Sequence, residues 1–86
     1  MLDLAFQLKI VTPTDVFFEG EATSVVAPGA LGYLGILKNH APFITTVSKG
    51  NLNFKDEQGQ TKTFKVEGGF LEVQNNRVLV LTDKIE

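Results

Sequence analysis

Apolar residues recur at every second position along most of this chain, and glycine or proline interrupts the pattern before a helix could complete many turns. That combination favours strands over helices. Leu4, Phe6, Leu8 and Ile10 fall on one face of a first strand, with Gln7 and Lys9 on the other. Val16 to Val26 reads as a second strand or a bent pair, with Gly20 marking a bulge or a sharp bend. Leu34 to Leu37 is a short apolar strand between glycines and the polar Lys38-Asn39, and Phe43 to Val47 follows. Leu52 and Phe54 face one way, while Asn51, Asn53 and Lys55 face the other. Asp56-Glu57-Gln58-Gly59 is a hairpin loop with glycine where a positive φ is expected. The returning strand turns Phe64 and Val66 inward. Phe70 to Val73 and Val78 to Leu81 are the last two strands, joined by Asn75-Asn76, a residue pair that tolerates the left-handed region. The expected class is all-β, an antiparallel sandwich or barrel.

Two places break this pattern. Phe17 and Phe18 are adjacent, so on a regular strand they point to opposite faces, and one of them lies outside the first core. That implies a second buried surface or an exposed patch for a partner. Asp83-Lys84-Ile85-Glu86 pairs an N-cap type residue with Glu three positions later. Residues 82–86 are therefore read either as the vestigial or truncated start of a helix or as a chance match.

At 86 residues the chain is a single domain, 1–86, with a narrow stability margin that a partner would widen. It has no cysteine, which excludes a disulfide framework, a thiolate metal site and a cysteine nucleophile. No apolar run reaches the ~18 residues of a transmembrane helix, and no basic segment precedes an apolar core as in a signal peptide. A net charge of −2 argues against nucleic acid or direct lipid insertion.

Catalytic patterns are weak. His40 is the sole histidine and has no carboxylate near it in sequence. Ser24 and Ser48 are the only serines, and neither lies in a nucleophile elbow. Glu19 and Glu21 share a strand face around Gly20, which is read as a solvated face rather than a cation site. Gly29, Gly32 and Gly35 are not a phosphate loop, since no helical pattern follows them. No active site, cofactor or metal is expected.

The most informative stretch is Gly32-Tyr33-Leu34-Gly35-Ile36-Leu37 followed by Asn39-His40-Ala41-Pro42. It resembles the signature of the epsilon subunit family of the rotary F-type ATP synthase. Five further segments match that family in order: Ile10-Val11-Thr12-Pro13, Phe18 with Gly20-Glu21-Ala22, Val25 to Gly29, Gly68 to Val73, and Asn75 to Leu81. The resemblance implies a flattened antiparallel β-sandwich of about ten short strands in two sheets. It implies a non-catalytic central-stalk subunit that binds the gamma subunit and the polar loops of the membrane c-ring, and couples proton translocation to ATP synthesis. The corresponding location is peripheral, on the cytoplasmic face of the bacterial inner membrane or its plastid thylakoid equivalent. A helical hairpin that inhibits hydrolysis normally follows this domain, and the chain ends where it would begin. Inhibition and ATP binding by this chain are therefore not expected. Starting at Met1 without a tag, the chain reads as naturally short.

Carried over residue by residue, Gly32, Tyr33 and Leu34 match the loop that meets the c-ring. His40, Ala41 and Pro42 match a segment facing gamma, with Thr12 and Thr45 near the same surface. The sequence departs from the family twice. Tyr33 stands where the family usually has Glu, exchanging charge pairing for apolar packing plus one hydroxyl. Lys38-Asn39 replaces Pro-Gly; Asn can still turn, and Lys38 adds positive charge for an acidic patch of gamma. Two other readings stand beside this one. A lipoyl or biotinyl carrier needs a lysine at a hairpin tip, whereas Lys84 lies at the chain end. A small ligand-binding sandwich would want aromatic platforms, and the chain has one Tyr and no Trp.

Overall fold

The computed structural model describes residues 3–86; the start of the chain at Met1, noted above, lies outside them. Nine strands follow one another: β1 (Phe6–Val11), β2 (Val16–Gly29), β3 (Gly32–Ile36), β4 (Phe43–Thr46), β5 (Gly50–Asp56), β6 (Thr61–Glu67), β7 (Phe70–Gln74), β8 (Arg77–Leu81) and β9 (Lys84–Ile85). There is no helix among the described residues, so the all-β expectation holds.

The strands hydrogen-bond as one path, β4-β7-β8-β1-β2-β5-β6-β9, with β3 joined to β2. A flat single layer would be only ~10 Å thick, yet the molecule measures 19 Å in its thinnest direction. The fourteen-residue β2 explains the difference. Its first half, through Ala22, pairs with β1, and its second half, from Val25, pairs with β3. Between them Thr23 is an extra residue opposite the Asp56-Lys55 step of β5. A bulge of this kind bends its strand, and β2 thereby passes from one layer to the other. Counted in both layers, β2 makes five strands in each, which accounts for the expected ten in two sheets.

Phe6, Leu8, Ile10, Leu71, Val73, Val78 and Val80 from one layer and Val25, Ala27, Ile36, Leu52, Phe54 and Val66 from the other form a single core. The period-two pattern of the sequence becomes this core directly, because alternate side chains of every strand face the same way.

Four readings change in the structure. The ladder is not wholly antiparallel: β1 and β8 pair in parallel, with Leu8 beside Val78. These strands come from opposite ends of the chain, so no tight turn dictates their direction. Gly20 is not the bulge; it pairs regularly with Leu8, and the Phe18 ring lies over the place where its side chain would stand, 3.2 Å from a Cβ there. Phe17 lies outside the core, 42% exposed, and Phe18 packs against it, but a bulge rather than simple strand alternation sets their directions. Ile10 pairs with Phe18 and Val11 with Val16, leaving Phe17 unpaired. That bulge swings Phe17 onto Phe64, 4.6 Å between ring centres, while Phe18 packs on Phe54 at 4.5 Å. Last, Lys84–Ile85 is a strand rather than a helix start. It pairs with β6, and the Glu86 amide and carbonyl exchange 2.9 Å bonds with Lys65. The open edge of β6 offered a ladder, which satisfies the backbone better than a one-turn helix.

Candidate interaction surfaces

The residues singled out from the sequence gather at two ends of the sandwich. Gly32, Tyr33 and Thr45 lie at the end carrying the β2–β3 turn, Ala30-Leu31. Gly32 has φ +122°, a backbone that a side chain would strain. The Ala30 amide donates to Thr45 Oγ1 at 3.1 Å, and the Asn51 amide donates to the Tyr33 hydroxyl at 3.1 Å. Leu34 tucks half-buried against the core, and Gly29 leaves it room, since any Cβ there would overlap the Leu34 side chain. Leu31 stands fully exposed at the tip. Thr12 belongs to this same end: Val11 pairs with Leu81 and accepts from the Thr82 amide, beyond which the chain passes Gly68 and Val47. Thr12 also closes its own turn, its Oγ1 accepting from the Asp15 amide at 3.1 Å.

Lys38, His40, Ala41 and Pro42 lie at the opposite end, on the loop between β3 and β4. Asn39 takes φ +67° there. Its amide donates to Asn76 Oδ1 at 2.6 Å, and Asn76 Nδ2 donates back to Asn39 Oδ1 at 3.1 Å. Asn75 and Asn76 are both left-handed, as a two-residue hairpin turn requires. Lys38 pairs with Asp3 at 3.5 Å. The Ala5 amide first, and then Lys38, hold the Asp3 carboxyl below its usual range. The His40 ring sits 2.7 Å from the Ala41 carbonyl through Nδ1 and meets Phe43 edge-on at 6.1 Å. Thr12 and Thr45 lie toward the β2–β3 end and His40 toward the other, so a surface that held all three would run the length of the first layer.

Sequence reasoning missed a third surface. On the outer face of the first layer, cross-strand neighbours form a row: Thr46, Phe70, Leu81, Val11 and Val16. All but Thr46 are apolar. Val16 is 57% exposed and Phe70 37%, and Ile44, beside Thr46 in β4, is 63% exposed. The next row along is mixed, with Ile44, Glu72, Leu79, Lys9 and Glu19 in register, Lys9 lying 3.9 Å from Glu19. The signal was present as adjacent apolar pairs, Ile10-Val11, Phe70-Leu71 and Val80-Leu81. When one member of such a pair enters the core, its neighbour must face out.

None of these surfaces has catalytic geometry. Among the described residues no three His, Cys, Asp or Glu side chains come together as a metal site. No described helix is long and apolar enough to cross a membrane. Lys84 lies in an edge strand and not at a hairpin tip, so nothing favours a carrier arm. What the arrangement can do is present surfaces: a moored turn at one end, a clasped loop at the other, and an apolar row beside a partly charged one.

Comparison with known proteins gives these surfaces a context. Residues 5–86 match the family described as ATP synthase, delta/epsilon chain, beta-sandwich domain. The chain is 42% identical over 83 residues to the ATP synthase epsilon chain of Chlorobium limicola, covering 96% of this chain and 94% of that one. It is 40% identical over 79 residues to the ATP synthase epsilon chain of Dichelobacter nodosus, where it covers 92% of this chain but only 55% of the relative. In fold it is similar to a chain of the Euglena gracilis mitochondrial ATP synthase, in a cryo-EM structure of OSCP, F1 and c-ring. The TM-score is 0.91 at 17% identity, over all of this chain and 55% of that one. It is also similar to a chain of the Tetrahymena thermophila mitochondrial ATP synthase central stalk and c-ring, with a TM-score of 0.78 at 14% identity, over 93% and 64% of the two chains. At these identities the structural likeness is one of fold.

Proposed function

We propose a function from one premise: the chain belongs to the family of ATP synthase delta/epsilon chains, through their β-sandwich domain. It acts as a non-catalytic subunit of the central stalk, peripheral to the membrane through the complex, on the cytoplasmic face in a bacterium. It binds a gamma-type subunit and the loops of a c-ring, and passes rotation between them. Torque of this kind travels through packed surfaces, so the subunit needs internal rigidity and broad contacts rather than reactive side chains.

The observation that carries this reading is the apolar row Phe70, Leu81, Val11 and Val16 on the outer face of the first layer. An antiparallel sandwich standing alone turns polar residues to solvent there. A row of this composition suits a partner that covers it, and we assign it to gamma. Thr12 borders the row, and His40, Ala41, Pro42 and Lys38 extend the contact at the far end. Gly32, Tyr33 and Leu34, with the tip they support, are assigned to the c-ring.

The test is binding to purified gamma read by native mass spectrometry. A one-to-one complex is expected. Phe70→Ala and His40→Ala should each weaken it by about 1–2 kcal/mol if they are anchors, with thermal stability of the free chain little changed. Absence of a complex with gamma, or unchanged affinity in both variants, would overturn the assignment.

A further inference from the structure

The Tyr33 side chain reaches past its own ladder partner and accepts a hydrogen bond from a strand that β3 does not pair with. Its strand, β3, pairs only with β2, and β5 lies on the far side of β2. The ring crosses Pro28, its partner in the β2–β3 ladder, and its hydroxyl takes the Asn51 amide at 3.1 Å. Gly50 keeps this path open: a Cβ there would stand 2.6 Å from the hydroxyl and 3.1 Å from Pro28. The turn is held from the other layer as well, by the Ala30 amide on Thr45 Oγ1 of β4. One two-residue turn is therefore tied to both layers of the sandwich. What the two ties leave outside is Leu31, fully exposed, on a hairpin with no charged residue from Ala22 through Leu37.

We propose that Tyr33 is a positioning residue: its hydroxyl moors the β2–β3 turn to β5 through the gap at Gly50, and so holds Leu31 out as an uncharged knob for the loops of the c-ring. The inference rests on the reading of this tip as the ring contact. A side chain ordered before binding loses less freedom on association, and an apolar tip needs no charge partner on the ring. Tyr33 thus takes over by mooring what a carboxylate would do by pairing.

Two substitutions break the same bond from opposite sides. Tyr33→Phe removes the acceptor and keeps the ring; Gly50→Ala keeps the hydroxyl and blocks its path. Both should speed hydrogen exchange at the Asn51 amide by roughly 2- to 10-fold, the worth of one neutral hydrogen bond. Gly50→Ala should also alter the fluorescence of Tyr33, which is the sole tyrosine in a chain without tryptophan. Binding to a purified gamma–c-ring assembly should weaken by a similar factor in both variants, and also in Leu31→Ala, in which Asn51 exchange stays as in the unaltered chain. Unchanged Asn51 exchange in Tyr33→Phe overturns the mooring. Faster exchange with unchanged ring affinity in all three variants overturns the knob. If the unaltered chain binds gamma but gains nothing from the ring, the ring contact falls while the stalk reading stands. If it binds neither, the proposed function itself falls.

Discussion

Single residues in this domain are decided by backbone constraints more than by chemistry. Gly69 adopts φ +92°, and a Cβ there would run into the carbonyl of Leu81 across the strand pair. No side-chain rotation can relieve an overlap with backbone, so Gly69→Ala should cost on the order of 2–4 kcal/mol in urea unfolding. Gly59 has φ +84° but open space around it, so Gly59→Ala should cost only the left-handed penalty, about 1–2 kcal/mol. Equal losses at the two sites would show that φ alone matters. Charge acts more gently and on the surface. The Glu57 carboxyl is raised above its ordinary value, first by a hydrogen bond with Glu21, then by the charge of Glu21, with Asp3 and Asp56 adding to it. A group that holds its proton more tightly in the folded state contributes stability that is complete below its unfolded pKa and is lost as pH rises through the folded one. The window therefore opens near 4.5 and extends upward. Thermal melts across that range should show a decline in the unaltered chain that Glu57→Gln removes; a decline of the same size in both would contradict the pairing with Glu21.

At the scale of elements, turns and loops hold the strands in register by a few side-chain bonds. Asp56 Oδ1 accepts the amides of Gln58 and Gln60, both at 2.9 Å, which winds the β5–β6 loop before Gly59. The β3–β4 loop has no strand ladder of its own and is carried by the reciprocal bonds between Asn39 and Asn76. Asn76 therefore has two duties, a left-handed φ and a clasp. Asn76→Gly keeps the first and loses the second, so it should loosen the His40 loop while leaving the β7–β8 turn intact. A double-mutant cycle with Asn39→Gly should give a coupling of about 0.5–1.5 kcal/mol. Because Asn39→Gly keeps its amide bond to Asn76 Oδ1, the cycle reads the side-chain bond alone, and a coupling near zero would mean that this bond does not hold the loop.

The whole molecule is organised by β2 and by the β1–β8 pair. The first joins the two layers; the second closes the first layer between strands far apart in the chain. The Thr82 hydroxyl, fully buried, has its one hydrogen to share between the carbonyls of Lys84, at 3.0 Å, and Glu67, at 3.2 Å, and so fastens the exit of β8 to β9 and β6. Such long-range pairing must form before it is rewarded, so folding should take milliseconds to seconds, slower than a helical domain of this length. Stopped-flow refolding checks this, and microsecond folding would contradict it. Thr82→Val should mainly speed unfolding, because that tie can form only after both layers have met.

The alternation of Leu8, Ile10, Leu52, Phe54, Val78 and Val80 was enough to specify strands, the core list and the all-β class, because side-chain direction on a strand is a local property. Asn75-Asn76 and Gly59 were legible for the same reason: φ preference belongs to the residue. The ordered match of short segments was enough to point to the family. What the local pattern could not contain was pairing. The bulges at Phe17 and Thr23, the parallel junction of β1 with β8 and the capture of Lys84–Ile85 by β6 depend on which distant edge each strand meets. The same holds for the candidate surfaces. Tyr33, His40 and Thr45 were found by their place in a motif, but their division between two ends came from the path of β3 and β4 across the sandwich. The apolar row of Phe70, Leu81, Val11 and Val16 exists only once four strands lie in register. Proximity between residues remote in sequence is a product of tertiary packing, and these surfaces are made of nothing else.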